Sequence, residues 1–243
     1  MKKPFNLRAL LGFIFFTFVA SVIYVIIQII LAPAVAPSSE ITIRVKSDYI
    51  LMLLQSLLGM FAIFLPNILK QKARLYIPSV MICAYAIFLF CGIILGEVRN
   101  FYHRIPHWDT ILHIFSGAAL GALGFSIVSL LNKSDTIKFS LSPGFVALFA
   151  FCFAVTLGVI WEIYEFSMDY FLKTNMQKYA LESGELLMGQ SALLDTMKDL
   201  IVDAAGAFVM SIIGYISLKN KNGWLNRLEI KRMQLIENQD IAK

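Results

Sequence analysis

The chain has 243 residues, 58% of them apolar and only 15% charged, with a mean hydropathy of +0.73. A soluble domain carries roughly a quarter charged residues, so disorder, a coiled coil and an ordinary soluble enzyme are excluded in favour of an all-α polytopic membrane bundle. The formal net charge of +5 comes from 21 Lys and Arg against 16 Asp and Glu. These basic residues sit in loops and tail, where membrane topology explains them and nucleic acid need not be invoked.

A span needs about 20 apolar residues, so the length accommodates about six spans. The first is expected over residues 9–31, behind Lys2, Lys3 and Arg8. Its apolar run is longer than the usual ~7–15 residues of a signal peptide. Pro37 also follows the Ala34-Val35-Ala36 stretch directly, so a retained helix is expected. The second span covers 49–69, with Pro66 near its end, and the third covers 76–96. Lys70, Lys72 and Arg74 crowd the short linker between them, as in a tight helical hairpin. Cys83 and Cys91 share the third span about 12 Å apart, too far for a disulfide. The fourth span covers 111–131, the fifth runs from near 144 to 171, and the sixth covers 199–218.

Residues 1–218 are thus expected to form one transmembrane domain and 219–243 a cytoplasmic basic tail. In the tail, Trp224, Leu225, Leu228, Met233 and Ile236 recur at roughly helical spacing between Lys and Arg. That pattern suits an amphipathic surface helix or a solvated end. Placing both termini in the cytoplasm gathers most of the basic residues there, as the positive-inside rule requires. The expected location is the plasma or inner membrane. Most acids and all three histidines, His103, His107 and His113, then fall at the extracytoplasmic face.

The acids there are ordered. Asp109 and His113 open the fourth span at i, i+4 and share a helix face, with Glu97 ending the third span just across the loop. Gly117, Gly121 and Gly124 follow, small residues that permit close helix approach. Glu162, Glu165 and Asp169 form a stripe at the end of the fifth span. Asp195, Asp199 and Asp203 form another that descends into the sixth, ahead of Gly206. A charge at a helix centre costs about 2.5–3.5 kcal/mol on insertion scales, so these acids call for compensation. A divalent cation, Zn²⁺, Mn²⁺, Fe²⁺ or Mg²⁺, suits carboxylates with an imidazole. Asp109, His113, Asp169, Asp199 and Asp203 are the candidate ligands, and Glu97 and Asp195 extend the polar site. The plainer alternatives are a capping Asp109–His113 pair, a solvated face for the fifth-span stripe, and interfacial anchoring by Trp108 and Trp161. No GxSxG, P-loop or GxGxxG occurs, so serine hydrolase, nucleotide hydrolase and dinucleotide chemistry lack residues.

In order and spacing, Gly96-Glu97, Asn100-Phe101-Tyr102, Trp108-Asp109, His113, Ser116-Gly117, Trp161-Glu162-Ile163, Glu165-Phe166, Asp169, Asp195, Asp199, Asp203 and Gly206 resemble the YjdF-like bacterial inner-membrane proteins. A weaker likeness is to VanZ-like membrane proteins, linked to glycopeptide-antibiotic resistance. Asp109 and His113 match their first element, Glu162 or Glu165 the second, and Asp199, Asp203 and Gly206 the third, with Asp203 in place of an asparagine. Both resemblances imply that the polar groups form one site.

Three functions remain open on the residues. One is a metal-dependent hydrolase or transferase acting on an envelope lipid or lipid-linked substrate, with Glu162 or Glu165 as general base. Another is proton- or cation-coupled transport, for which intramembrane acids are the usual relays. The third is a non-catalytic membrane factor whose polar cluster holds helices together.

Overall fold

In the first span, helix α1 (Leu7–Leu31) is started by Asn6, whose Oδ1 accepts the Ala9 N–H at 3.2 Å. The computed structural model describes residues 6–34, 44–132, 141–181, 185–221 and 223–233. Six helical segments in it are long and apolar enough to cross a bilayer. The second, Lys46–Lys72, is broken into α2 (Lys46–Ala62) and α3 (Leu65–Lys72). The break precedes Pro66, which carries no N–H to continue the ladder. Strand β1 (Leu75–Tyr76) leads into the third span, where α4 (Ser79–Leu89) continues as a π-helical run, Phe90–Val98. Short α5 (Phe101–Arg104) then gives way to α6 (Trp108–Asn132), α7 (Pro143–Leu172) and α8 (Gln190–Lys219).

The helices form two groups. Helices α1, α2 and α4 pack around Ile14, Phe18, Ile63, Ala86 and Ile94. Helices α6, α7 and α8 pack on one another, α6 against α8 most extensively. The α6–α8 crossing is closest at two glycines. A Cβ on Gly117 would lie 2.2 Å from the Asp203 carbonyl oxygen, and one on Gly206 would lie 2.2 Å from that of Ile114. Only hydrogen fits at either position. Large apolar side chains such as Phe16, Ile30 and Phe171 point outward, about 70% exposed, as a lipid-facing surface requires.

The sixth helix begins at Gln190, well before the expected residue 199, because its first turns are too polar to register as apolar. Asp195 therefore lies on the helix. The tail also differs from a single amphipathic helix. After Gly223 (φ +64°), a 3₁₀ turn (Trp224–Leu228) is followed by β2 (Lys231–Arg232), antiparallel to β1 with Leu75 opposite Arg232. Tertiary bonds override the helical spacing here: Glu229 accepts from Ser129, and the Ile230 N–H donates to Ser126 Oγ at 2.6 Å. Lys2, Lys3, Val35, Ala36, Pro37, Lys133, Asp135, Lys138, Ile236, Glu237, Asp240 and Lys243 lie outside the described residues. The three cysteines are free thiols.

Candidate metal centre

The polar site is assembled at the ends of the helices opposite the termini. His113 is one turn into α6, buried against α8. Its Nδ1 lies 3.1 Å from Asp203 Oδ2. When this carboxylate is ionised it only accepts, and Nδ1 is then the donor of the pair. Ser116 Oγ donates to the other Asp203 oxygen at 2.7 Å, which fixes the carboxylate. Gly158 on α7 completes this packing: a Cβ there would come within 2.9 Å of Asp203 Oδ2.

With Nδ1 protonated, Nε2 presents either a lone pair or a second proton to what faces it. It faces Asp109 Oδ1 at 3.6 Å and Asp199 Oδ2 at 3.8 Å. One ligand atom from each of Asp109, His113 and Asp199 lies within 4.8 Å of the others, a spacing a metal ion can bridge. Asp199 is 1% exposed, and its Oδ1 has no hydrogen-bond partner among the described residues. Two carboxylates facing one imidazole nitrogen favour positive charge there, supplied by a second imidazole proton or by a bound cation. A second carboxylate orienting the imidazole from behind is the usual arrangement around a metal-bound histidine.

The structure divides the other expected residues by role. Asp203 backs the imidazole and does not join the three-residue group. Asp169 is also elsewhere: its Oδ1 accepts from Thr174 Oγ1 at 2.6 Å and Met176 N at 2.7 Å, and its Oδ2 from Gln177 N at 2.9 Å. Three donors from the following loop saturate that carboxylate, so it pins the loop. Glu165 accepts from Trp161 Nε1 at 2.9 Å. Glu162 is 5% exposed, and neither of its oxygens has a hydrogen-bond partner among the described residues. It lies within electrostatic reach of His113, Asp195 and Asp203, and the Gln177 side chain approaches its carboxylate. Glu97 ends the π-helical run within similar reach of Asp109 and Lys178. π-Helical segments in membrane and soluble helices concentrate at functional sites. Arg44 secures this one by donating to the Glu97 carbonyl at 2.8 Å and to Asn100 Oδ1 at 2.9 Å.

Lys178 supplies a positive charge that no spacing argument singles out. It stands at φ +48° in the loop that Asp169 pins. Its ammonium donates to Asp109 Oδ2 and to both oxygens of Asp195, at 2.9 and 3.1 Å. Burial would lower its pKa, but Asp109 and Asp195 outweigh that and hold it above the ordinary lysine value. It is therefore an ammonium throughout the neutral range. Tyr102, beside the site, is held well above its usual value by burial and then by the charges of Glu97 and Asp109. Lys178 escapes notice in sequence because an isolated polar residue has no periodicity to betray it, and Ser116 enters there only through the family resemblance.

A protein of Thermotoga maritima described as "Uncharacterized protein" is 30% identical to this chain over 166 residues, covering 68% of this chain and 77% of the relative. No solved structure matches. The YjdF-like resemblance is compatible with the family match below, and the VanZ-like one has no counterpart among these matches. Residues 13–220 match the family described as "Predicted membrane protein (DUF2238)", and the chain belongs to that family of membrane proteins.

Proposed function

We propose that Asp109, His113 and Asp199 hold one divalent cation at the extracytoplasmic face, and that the site carries out hydrolysis or transfer on an envelope lipid or lipid-linked substrate. The observation that carries this reading is the imidazole of His113, oriented by Asp203 on one side and flanked by two carboxylates on the other. The cation would polarise a phosphoryl or acyl oxygen and acidify water. Glu162, buried and within electrostatic reach of His113, supplies the base that takes a proton from water and returns it to the leaving oxygen. Lys178 and Glu165 keep the surrounding charge in place.

Elemental analysis after chelator-free purification tests the reading. The expected result is about one Zn, Mn, Fe or Mg per chain, lost in a still monodisperse His113→Ala variant. Glu162→Gln is expected to retain the metal and to lose turnover on a panel of lipid phosphates and esters. A metal-free wild type would sink the proposal and favour the transport reading. Asp203→Asn keeps an acceptor for Nδ1–H but loses the charge. It is expected to fold and to bind metal about 10- to 100-fold more weakly, the usual penalty for removing a supporting carboxylate. Competition with a metallochromic chelator measures this directly.

A further inference from the structure

At the opposite ends of the same helices, beside the termini, a second site is built by pairing β1 with β2. The pairing sets Arg232 opposite Leu75, and the Met233 N–H donates to the Arg74 carbonyl at 2.8 Å. It draws the hairpin linker and the tail together around a cavity of about 350 Å³. The cavity is lined by Lys72, Arg74 and Arg232 with Ala73, Leu75 and Leu130. Three cations thus converge from two distant stretches of chain. Among the described residues, the one acid at this end is Glu229, which is 5% exposed and turned inward to Ser129.

Arg74 is the telling position. It follows the end of α3 at φ +51°, in the left-handed region where glycine is the residue of least cost. An arginine held there accepts backbone strain and places a guanidinium at the cavity. The apolar wall is equally specific. Leu130 lies in the last turn of α6 and Leu75 just past α3, both part-buried at the level where the spans end. Tyr76 and Trp224, each 41% exposed, stand at the same level as interfacial aromatics do.

We propose that this cavity is a binding site for the headgroup of an anionic phospholipid. The phosphate lies against Arg74 and Arg232, whose planar guanidinium groups bind phosphate oxygens in pairs, and against Lys72. Leu75 and Leu130 meet the glycerol and the first methylenes of the chains. Basic pockets between spans are the usual form of such sites. The site is separate from the cation centre and does not depend on it.

Native mass spectrometry of the detergent-solubilised full chain, titrated with phosphatidylglycerol or phosphatidylcholine, tests the proposal. The expected result is at least 10-fold tighter binding of phosphatidylglycerol. A Lys72→Gln/Arg74→Gln/Arg232→Gln triple variant should lose that preference, and Arg232→Gln alone, on an exposed side chain, should weaken it at least threefold. A Lys219→Gln/Lys221→Gln variant, which removes nearby charge outside the cavity, should keep it. Equal losses in the two multiple variants would show diffuse surface charge and overturn the proposal. Inorganic phosphate binding as tightly as phosphatidylglycerol would overturn the lipid assignment, and so would equal affinity for the two lipids.

Discussion

Replacing Gly117 or Gly206 with leucine is expected to lower stability by roughly 3 kcal/mol or more, at the top of the range for overpacked interiors. The obstruction in each case is backbone. Any Cβ would sit 2.2 Å from the carbonyl oxygen of Asp203 or Ile114, and a carbonyl in a helix cannot rotate aside. The helices would have to separate, undoing contacts along the whole α6–α8 crossing. The two glycines also set the site. Gly117 lies under Asp203, and Gly206 lies under Ile114, the neighbour of His113. Their close approach holds His113 Nδ1 and Asp203 Oδ2 at 3.1 Å. Thermal unfolding in detergent should therefore show a large fall together with loss of bound metal. Gly12 and Gly144 are the internal controls, since a Cβ at either meets nothing within 4 Å. Alanine at those positions should be neutral or stabilise by up to about 1 kcal/mol. Gly158→Ala falls between. Its Cβ would press on the Asp203 carboxylate at 2.9 Å, so metal affinity should drop more than stability does.

The contrast between these positions shows what sequence can reveal here. Composition and apolar runs locate all six spans, because a bilayer imposes one length on each helix. The i, i+4 step from Asp109 to His113 and the run from Asp199 to Asp203 place those residues on facing stripes. A helix converts spacing into direction reliably. Division of labour among the acids was not legible. Asp169 continues the Glu162–Glu165 stripe, yet it falls at the last turn of α7, where loop N–H groups reach it. Asp203 and Asp199 differ by a single turn, yet one backs the imidazole and the other faces its free nitrogen. Such assignments depend on where the partner helix crosses, and that is fixed by Gly117 and Gly206. The tail's pairing was hidden for a related reason. Its helical spacing competes with Ser126, Ser129 and β1, and those partners are visible only in three dimensions.

The second large effect concerns the loop that carries Lys178. Lys178→Met would leave Asp109 and Asp195 without their ammonium, at an expected loss of about 2 kcal/mol, moderated because all three side chains keep some contact with solvent. Asp169→Ala removes the acceptor for Thr174, Met176 and Gln177, and should cost about 2–3 kcal/mol through charged hydrogen bonds. These losses should not add. Asp169 holds Met176 and Gln177, the two residues immediately before Lys178, so once the loop is released the ammonium has already left its carboxylates. The double variant should fall short of the summed losses by about 1 kcal/mol, within the range for residues that share one network. Metal content separates this arrangement from direct ligation. Both single variants should keep the cation, and Lys178→Met should bind it more tightly, because Asp109 is then relieved of a competing positive charge. Loss of metal in Asp169→Ala would return Asp169 to the ligand set. Additive losses in the double variant would mean that Lys178 reaches Asp109 and Asp195 without the Asp169 anchor.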